Sequence, residues 1–320
     1  MATNSQLMPS KRKKPAEKAR PTTPSRRKGD SAPGEPRTIG LVYILPALLL
    51  YGFFLLYPFG QSIWISLFDW DGLTVATWTG FSNYADVFTD PDIRNAFGHS
   101  IFLLIFYAVV PVAIGLIIAG IVSRATLRGM SVYRTIIFMP QVLAMVVVGV
   151  AWRYMLAPEG FINQTLNAIG LDGVSRAWLG DYTFALPAVG VIGSWVQTGL
   201  CMVLFIAGAQ QIPKELFEAA RIDGAGPVRE FFAVTLPALR PHVAVASTLT
   251  IISGMRNFDL IYITTSQGPG KATSVPSYEI YSRAFETNQV GSATAIGVTL
   301  TAVILIITTV VAKTIEGRTR

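Results

Sequence analysis

From residue 39 onward the chain alternates between long apolar runs and shorter polar connections. A helix needs about 20 mostly apolar residues to cross the hydrocarbon core of a bilayer. Six stretches meet that length: 39–67, 100–122, 135–156, 186–209, 243–265 and 292–313. The pattern predicts an all-α integral membrane protein with six transmembrane helices. Pro46, Pro58, Pro111, Pro140 and Pro187 fall in these runs and are expected to kink or bound helices. The connections 68–99 and 157–185 are longer and contain helix-forming pieces, with Trp78, Phe81, Tyr84 and Trp178 expected at a membrane interface or packed on a rim.

Composition agrees with lipid as the solvent: 51% of residues are hydrophobic and 14% charged, with a mean hydropathy of +0.47, where a soluble domain carries about a quarter charged residues. The distribution of positive charge gives an orientation. Ten of the 26 Lys and Arg lie in the first 38 residues, including Lys11-Arg12-Lys13-Lys14 and Arg26-Arg27-Lys28. The 123–134 and 210–242 connections and the C-terminal end are also basic, whereas the alternate connections hold four Lys or Arg between them. Positive charge concentrates on the cytoplasmic side, so both termini are expected there.

Residues 1–38 are rich in Pro, Ser and Thr and lack aromatics, which predicts a disordered basic tail attracted to anionic lipid rather than to nucleic acid. The remainder, 39–320, reads as one transmembrane domain. Its first apolar run is too long for a cleaved signal peptide and reads as an uncleaved anchor. Cys201, the one cysteine, lies in an apolar run and is expected in the core. No Gly-rich phosphate loop ending in Lys-Ser or Lys-Thr is present, and no catalytic or metal-ligating set is predicted. ATP, if it drives this protein, is bound by another chain.

The 210–242 loop carries the most local information. Pro213 suits a first helical turn, residues 214–223 are good helix formers, Gly224 suits a C-terminal cap and Gly226-Pro227 turns the chain. Lys214, Glu218 and Arg221 gather near one side of the helix and are placed for surface ion pairs, or Glu218 for a partner's cation. Ala219 and Ala220 leave the backbone approachable.

This stretch closely resembles the EAA motif of ABC importer permeases. Glu218-Ala219-Ala220, Gly224 and Leu236-Pro237 fall at the family spacing, and Asp223-Gly224-Ala225 matches the longer form found in sugar systems. Val234 stands where isoleucine is usual. Further along, Phe258-Asp259-Leu260-Ile261-Tyr262, Gly268-Pro269, Thr273 and Tyr281…Ala284-Phe285 look like carbohydrate-uptake permeases of the maltose and glycerol-phosphate type. Gln267 replaces a glycine common in that stretch. The resemblance covers most of the chain from residue 39.

It implies a type I importer fold and a coupling helix docked on an ATPase subunit. It also implies a dimer of ATPases holding ATP and Mg2+, a second six-helix permease, and an extracytoplasmic solute-binding protein at a prokaryotic cytoplasmic membrane.

Charges inside spans default to functional roles. Arg153 is placed to snorkel, and Arg256 and Asp259, three residues apart, are placed to pair. Sugar recognition wants flat apolar surfaces with side chains that donate and accept hydrogen bonds. Trp195, Gln197, Asn257, Asp259 and Tyr262 supply those types, and the resemblance puts substrate contacts on this part of the bundle. Other readings are a permease for amino acids, oxyanions or polyamines, an ion-coupled carrier, and a membrane scaffold without transport.

Overall fold

The structure, a computed structural model, describes residues 37–122 and 129–317. Residues 1–36 of the expected basic tail and 123–128 of the 123–134 connection lie outside the described residues. The chain divides into two units at Leu55–Leu56. In the first, helix Arg37–Tyr51 carries Pro46 in its interior and exposes Val42, Ile44, Leu48 and Leu49. Everything below concerns the second.

That unit is helical apart from one antiparallel pair, Phe68–Asp69 with Thr77–Trp78. Its hub is helix Ala185–Ala209, in which 17 of 25 residues are buried. Around it pack Val110–Val122, Met130–Val142 and Leu236–Met255, and the last of these also packs on Val290–Glu316. Lipid tails are as apolar as leucine, so helices in a bilayer associate through close contact rather than hydrophobic drive. The hub is built for close contact. A methyl at Gly199 would stand 2.7 Å from the Ile137 carbonyl oxygen and 2.9 Å from Phe138 Cα, backbone against backbone. Cys201 is buried in the same helix. Facing away from the bundle, Ile117, Ile121, Leu305, Ile306 and Val310 stay exposed, as a lipid-facing shell requires.

The expectation of six uninterrupted spans needs correction. Among the described residues, four stretches are long and apolar enough to cross a membrane: Val42–Ile65, Pro91–Val122, Ala185–Ala209 and Val290–Ile315. A fifth exists only as a bent pair, Ser131–Val142 and Met145–Met155, turned by 98°. Here the predicted span 135–156 breaks three residues after Pro140, where Leu143 and Ala144 adopt extended backbone. The predicted span 243–265 is also divided. Helix Leu236–Met255 starts earlier, among Arg240 and His242, and ends at Arg256; Asp259–Thr264 is a separate short helix.

Two prolines are accommodated by widened turns rather than simple kinks. A proline ring clashes with the carbonyl four residues back and offers no N–H. The π turn Ile105–Val109 contains that carbonyl for Pro111, and Phe231–Thr235 contains it for Pro237. In the first case the Val110 N–H donates to Ile105 O. The Phe106 carbonyl thereby loses its usual donor, and its next donor in sequence is the proline. The Ser194 hydroxyl on the hub helix donates to it instead.

Candidate functional site

The 210–242 loop folds as a free-standing lever. Pro213 is the N-cap, one position earlier than expected, and helix Lys214–Ile222 follows with no buried residue. Asp223 is the C-cap. Gly224 takes φ of 74°, with its N–H donating to Arg221 O at 3.0 Å, while the Ala225 N–H donates to Ala220 O at 2.9 Å. Those two bonds form a Schellman cap, which satisfies the last carbonyls of the helix. Glu218 and Ala219 are exposed, Ala220 and Ala225 half-buried, and Leu216 and Ile222 stand in the open.

Lys214 and Glu218 form no ion pair among the described residues. Arg221 turns instead to Glu230, with Nε 3.3 Å from Oε2. Glu230 is buried at the foot of the next helix, so this pair ties the lever to the segment that runs through Leu236 and Pro237 into Leu236–Met255.

The second region lies at the far end of that same helix, roughly 30 Å away for 20 residues. A cavity of about 320 Å³ is lined by Tyr107, Ser253, Arg256, Asn257, Phe258 and Asp259 among others. The helix break makes it. Arg256 and Asp259 flank the break instead of forming the expected ion pair, and both reach the cavity. Tyr107 sits in the π turn before Pro111, its ring held where a methyl at Gly193 or Gly254 would overlap it. Its hydroxyl and Asn257 Nδ2 are buried without a hydrogen-bond partner. Buried polar atoms are rarely left so, and a polar ligand in this cavity would satisfy both.

Of the residues expected on a substrate path, Asn257 and Asp259 share this cavity, and Tyr262 lies beside it, stacked on Phe258. Gln197 is buried in the hub helix and Trp195 packs edge-on against Trp152; neither lines the cavity. Tyr107 and Ser253 were missed. A lone hydroxyl aromatic in the apolar run 100–122 was the available signal for Tyr107.

The connections at this end are clamped together. Arg283 pairs with Asp90 at 2.5 Å and with buried Glu279 at 3.8 Å. Glu279 accepts from Ser274 Oγ, and the His99 ring contacts Ser274 O at 2.8 Å. Lys271 pairs with Asp92. Of the rim aromatics, Tyr84 bonds Ser66 and Trp178 Nε1 donates to Asn163, while Trp78, against Trp64 and Phe68, and Phe81 stay exposed.

A multi-span helical bundle with a solvent-exposed capped lever at one pole and a polar cavity at the other describes a membrane permease worked from outside its own chain. Comparison with known proteins agrees. Residues 112–320 match the family described as "Binding-protein-dependent transport system inner membrane component", and the chain belongs to that family, as a permease subunit of an ABC importer.

The chain is 36% identical over 275 residues to "Probable ABC transporter permease protein YurN" of Bacillus subtilis, covering 85% of this chain and 92% of that protein. It is 34% identical to the diacetylchitobiose uptake system permease protein NgcF of Streptomyces coelicolor, over 84% of this chain and 80% of that one. The fold is that of a chain in the crystal structure of a bacterial ABC transporter involved in the import of the acidic polysaccharide alginate. There the TM-score is 0.74 at 22% identity, over 88% of this chain and 96% of the other.

Proposed function

We propose that this chain forms half of the translocation path of a carbohydrate importer, beside a second six-helix permease. In this reading the bent pair and the divided helix complete six crossings, with both termini cytoplasmic in a prokaryotic cytoplasmic membrane. An extracytoplasmic binding protein delivers the solute, and a dimer of ATPase chains holding ATP and Mg2+ drives the cycle. The lever is the coupling helix. Glu218, Ala219 and Ala220 present its docking face, Asp223, Gly224 and Ala225 set its end, and Leu236 and Pro237 begin the helix it moves. ATPase closure displaces the lever, and the Arg221–Glu230 pair passes the displacement into Leu236–Met255, which ends at the cavity. The permeases thus alternate between two states biased by ATP and by the loaded binding protein.

The single observation that supports this most is a nine-residue helix with a complete cap and no buried residue, which leaves its outer face open to a partner. For the cargo, support comes from the cavity's mixture of Asn257, Tyr107 and Ser253 with the flat ring of Phe258. Relatives named for diacetylchitobiose, lactose and arabinooligosaccharides point the same way.

Two measurements test the reading. Glu218→Lys reverses an exposed charge that holds nothing in the fold, so the permease should be made normally while the ATPase no longer co-purifies; full retention of the ATPase refutes the docking assignment. The cognate binding protein should retain labelled chito-, malto- or arabino-oligosaccharides or lactose. Retention of amino acids, oxyanions or polyamines in their place refutes the cargo assignment.

A further inference from the structure

From Phe258 on the cavity wall a strip of aromatic rings runs outward, and four of them are accounted for by neither the lever nor the cavity. Phe258 lines the cavity and stacks on Tyr262 at 5.3 Å with 28° between planes. Tyr281 lies 5.3 Å from Phe258 and 5.4 Å from Tyr262, and Phe285 lies 5.6 Å beyond Tyr281. Tyr278 underlies the group, buried, 6.2 Å from each of Phe258, Tyr262 and Tyr281. Phe258 and Tyr281 are half-buried, Tyr262 is 39% exposed and Phe285, at the outer end, 76%. Its exposed end depends on the π turn Ser282–Glu286, which carries Phe285.

Three of the strip's five rings are tyrosines, which pair an apolar face with a hydroxyl. One feature separates this strip from a lipid-facing or subunit-packing face. Its inner end opens on the buried Tyr107 hydroxyl and Asn257 Nδ2, which have no partner, so the strip leads to groups that need a polar ligand. A sugar ring has a flat C–H face edged by hydroxyls, and stacking on an aromatic face covers the first while leaving the second hydrated.

We propose that Tyr262, Tyr281 and Phe285 form an extended subsite for an oligosaccharide whose leading sugar occupies the Asn257 cavity. The following sugars lie across the exposed rings, one ring-to-ring step apart. The path therefore takes oligosaccharides as well as single sugars. This rests on the carbohydrate reading above and adds chain length to it.

The test uses the whole importer in proteoliposomes, with its binding protein saturated by linear oligosaccharides of one to four units from whichever of the chito-, malto- or arabino- series is carried. Phe285→Ala and Tyr281→Ala should slow transport of the three- and four-unit sugars roughly three- to tenfold, the loss of a few tens of Å² of apolar contact. Transport of the one-unit sugar should be unchanged, and Phe285→Trp and Tyr281→Phe should behave as the parent. Equal slowing at every length, as a packing defect gives, overturns the subsite, as does no slowing at any length, as a lipid or subunit contact gives. In both cases the carbohydrate reading survives. If no carbohydrate of any length is carried, both fall.

Discussion

Replacing Gly224 by alanine isolates the contribution of one backbone angle to the lever. At φ of 74° the residue sits in the left-handed region, and a methyl added there meets no atom within 4 Å. The substitution therefore introduces no clash, and its cost is conformational alone, about 1–2 kcal/mol for a residue with a Cβ. A nine-residue helix is marginal in water by itself, and this one has no buried side chain to hold it. The cap is thus a large part of its stability, and losing it lowers the population of the ordered lever by at most roughly 5- to 30-fold.

If the ATPase binds only the ordered lever, its apparent affinity falls by that same fraction. Asparagine tolerates the left-handed region better than other residues with a Cβ, so Gly224→Asn should lose much less than Gly224→Ala. The assay is titration of purified ATPase onto the permease in lipid nanodiscs, with thermal unfolding of the permease as a control that should not move. Parent-like affinity for Gly224→Ala, or equal loss for the alanine and asparagine variants, would refute the capping argument.

Two further outcomes follow from contacts within the bundle. Gly199→Ala forces a methyl to 2.7 Å from the Ile137 carbonyl and should destabilise the permease by about 1–3 kcal/mol. Gly98→Ala, in a helix where a methyl meets nothing, should be neutral or stabilising, and melting in detergent compares the two. The connections at the cavity end should loosen in acid. Partial burial works against ionisation of Asp90, but the Arg283 hydrogen bond and the Asp92 N–H outweigh it and hold the carboxyl below its ordinary range. A lowered value means that stability is full above the unfolded pKa of about 3.9 and is lost as pH falls through the folded value. Limited proteolysis of the 266–291 segment should therefore rise below about pH 4, and Asp90→Asn should raise the baseline and flatten that rise.

What the sequence made legible, and what it hid, divides along the range of the interactions involved. The lever was readable because its determinants are local. Pro213 and Gly224 bracket ten residues of helix formers, and the cap closes within three residues of the helix end. The apolar stretches were readable because lipid leaves a spanning backbone few choices besides helix.

The breaks at 143–144 and 256–258 were not, because an averaged hydropathy runs smoothly over two or three residues whose backbone leaves the helix. The cavity depends on one of those breaks, so the pairing of Arg256 with Asp259 was read on a helical face that does not exist. The ties between connections were out of reach for a different reason: Asp90 meets Arg283 and His99 meets Ser274 across more than 170 residues. Trp195 and Gln197 lie away from the cavity because residue type does not say which way a hub helix turns a side chain.

The prolines show how local and distant causes combine. Pro111 announces that one helix carbonyl nearby will lack a donor; the π turn before it makes that carbonyl Phe106's. That Ser194 supplies the donor, and that the same π turn sets Tyr107 facing Asn257, are facts of packing. A single missing N–H in the second apolar run thus helps to fix the polar wall of a cavity formed at a break 145 residues later.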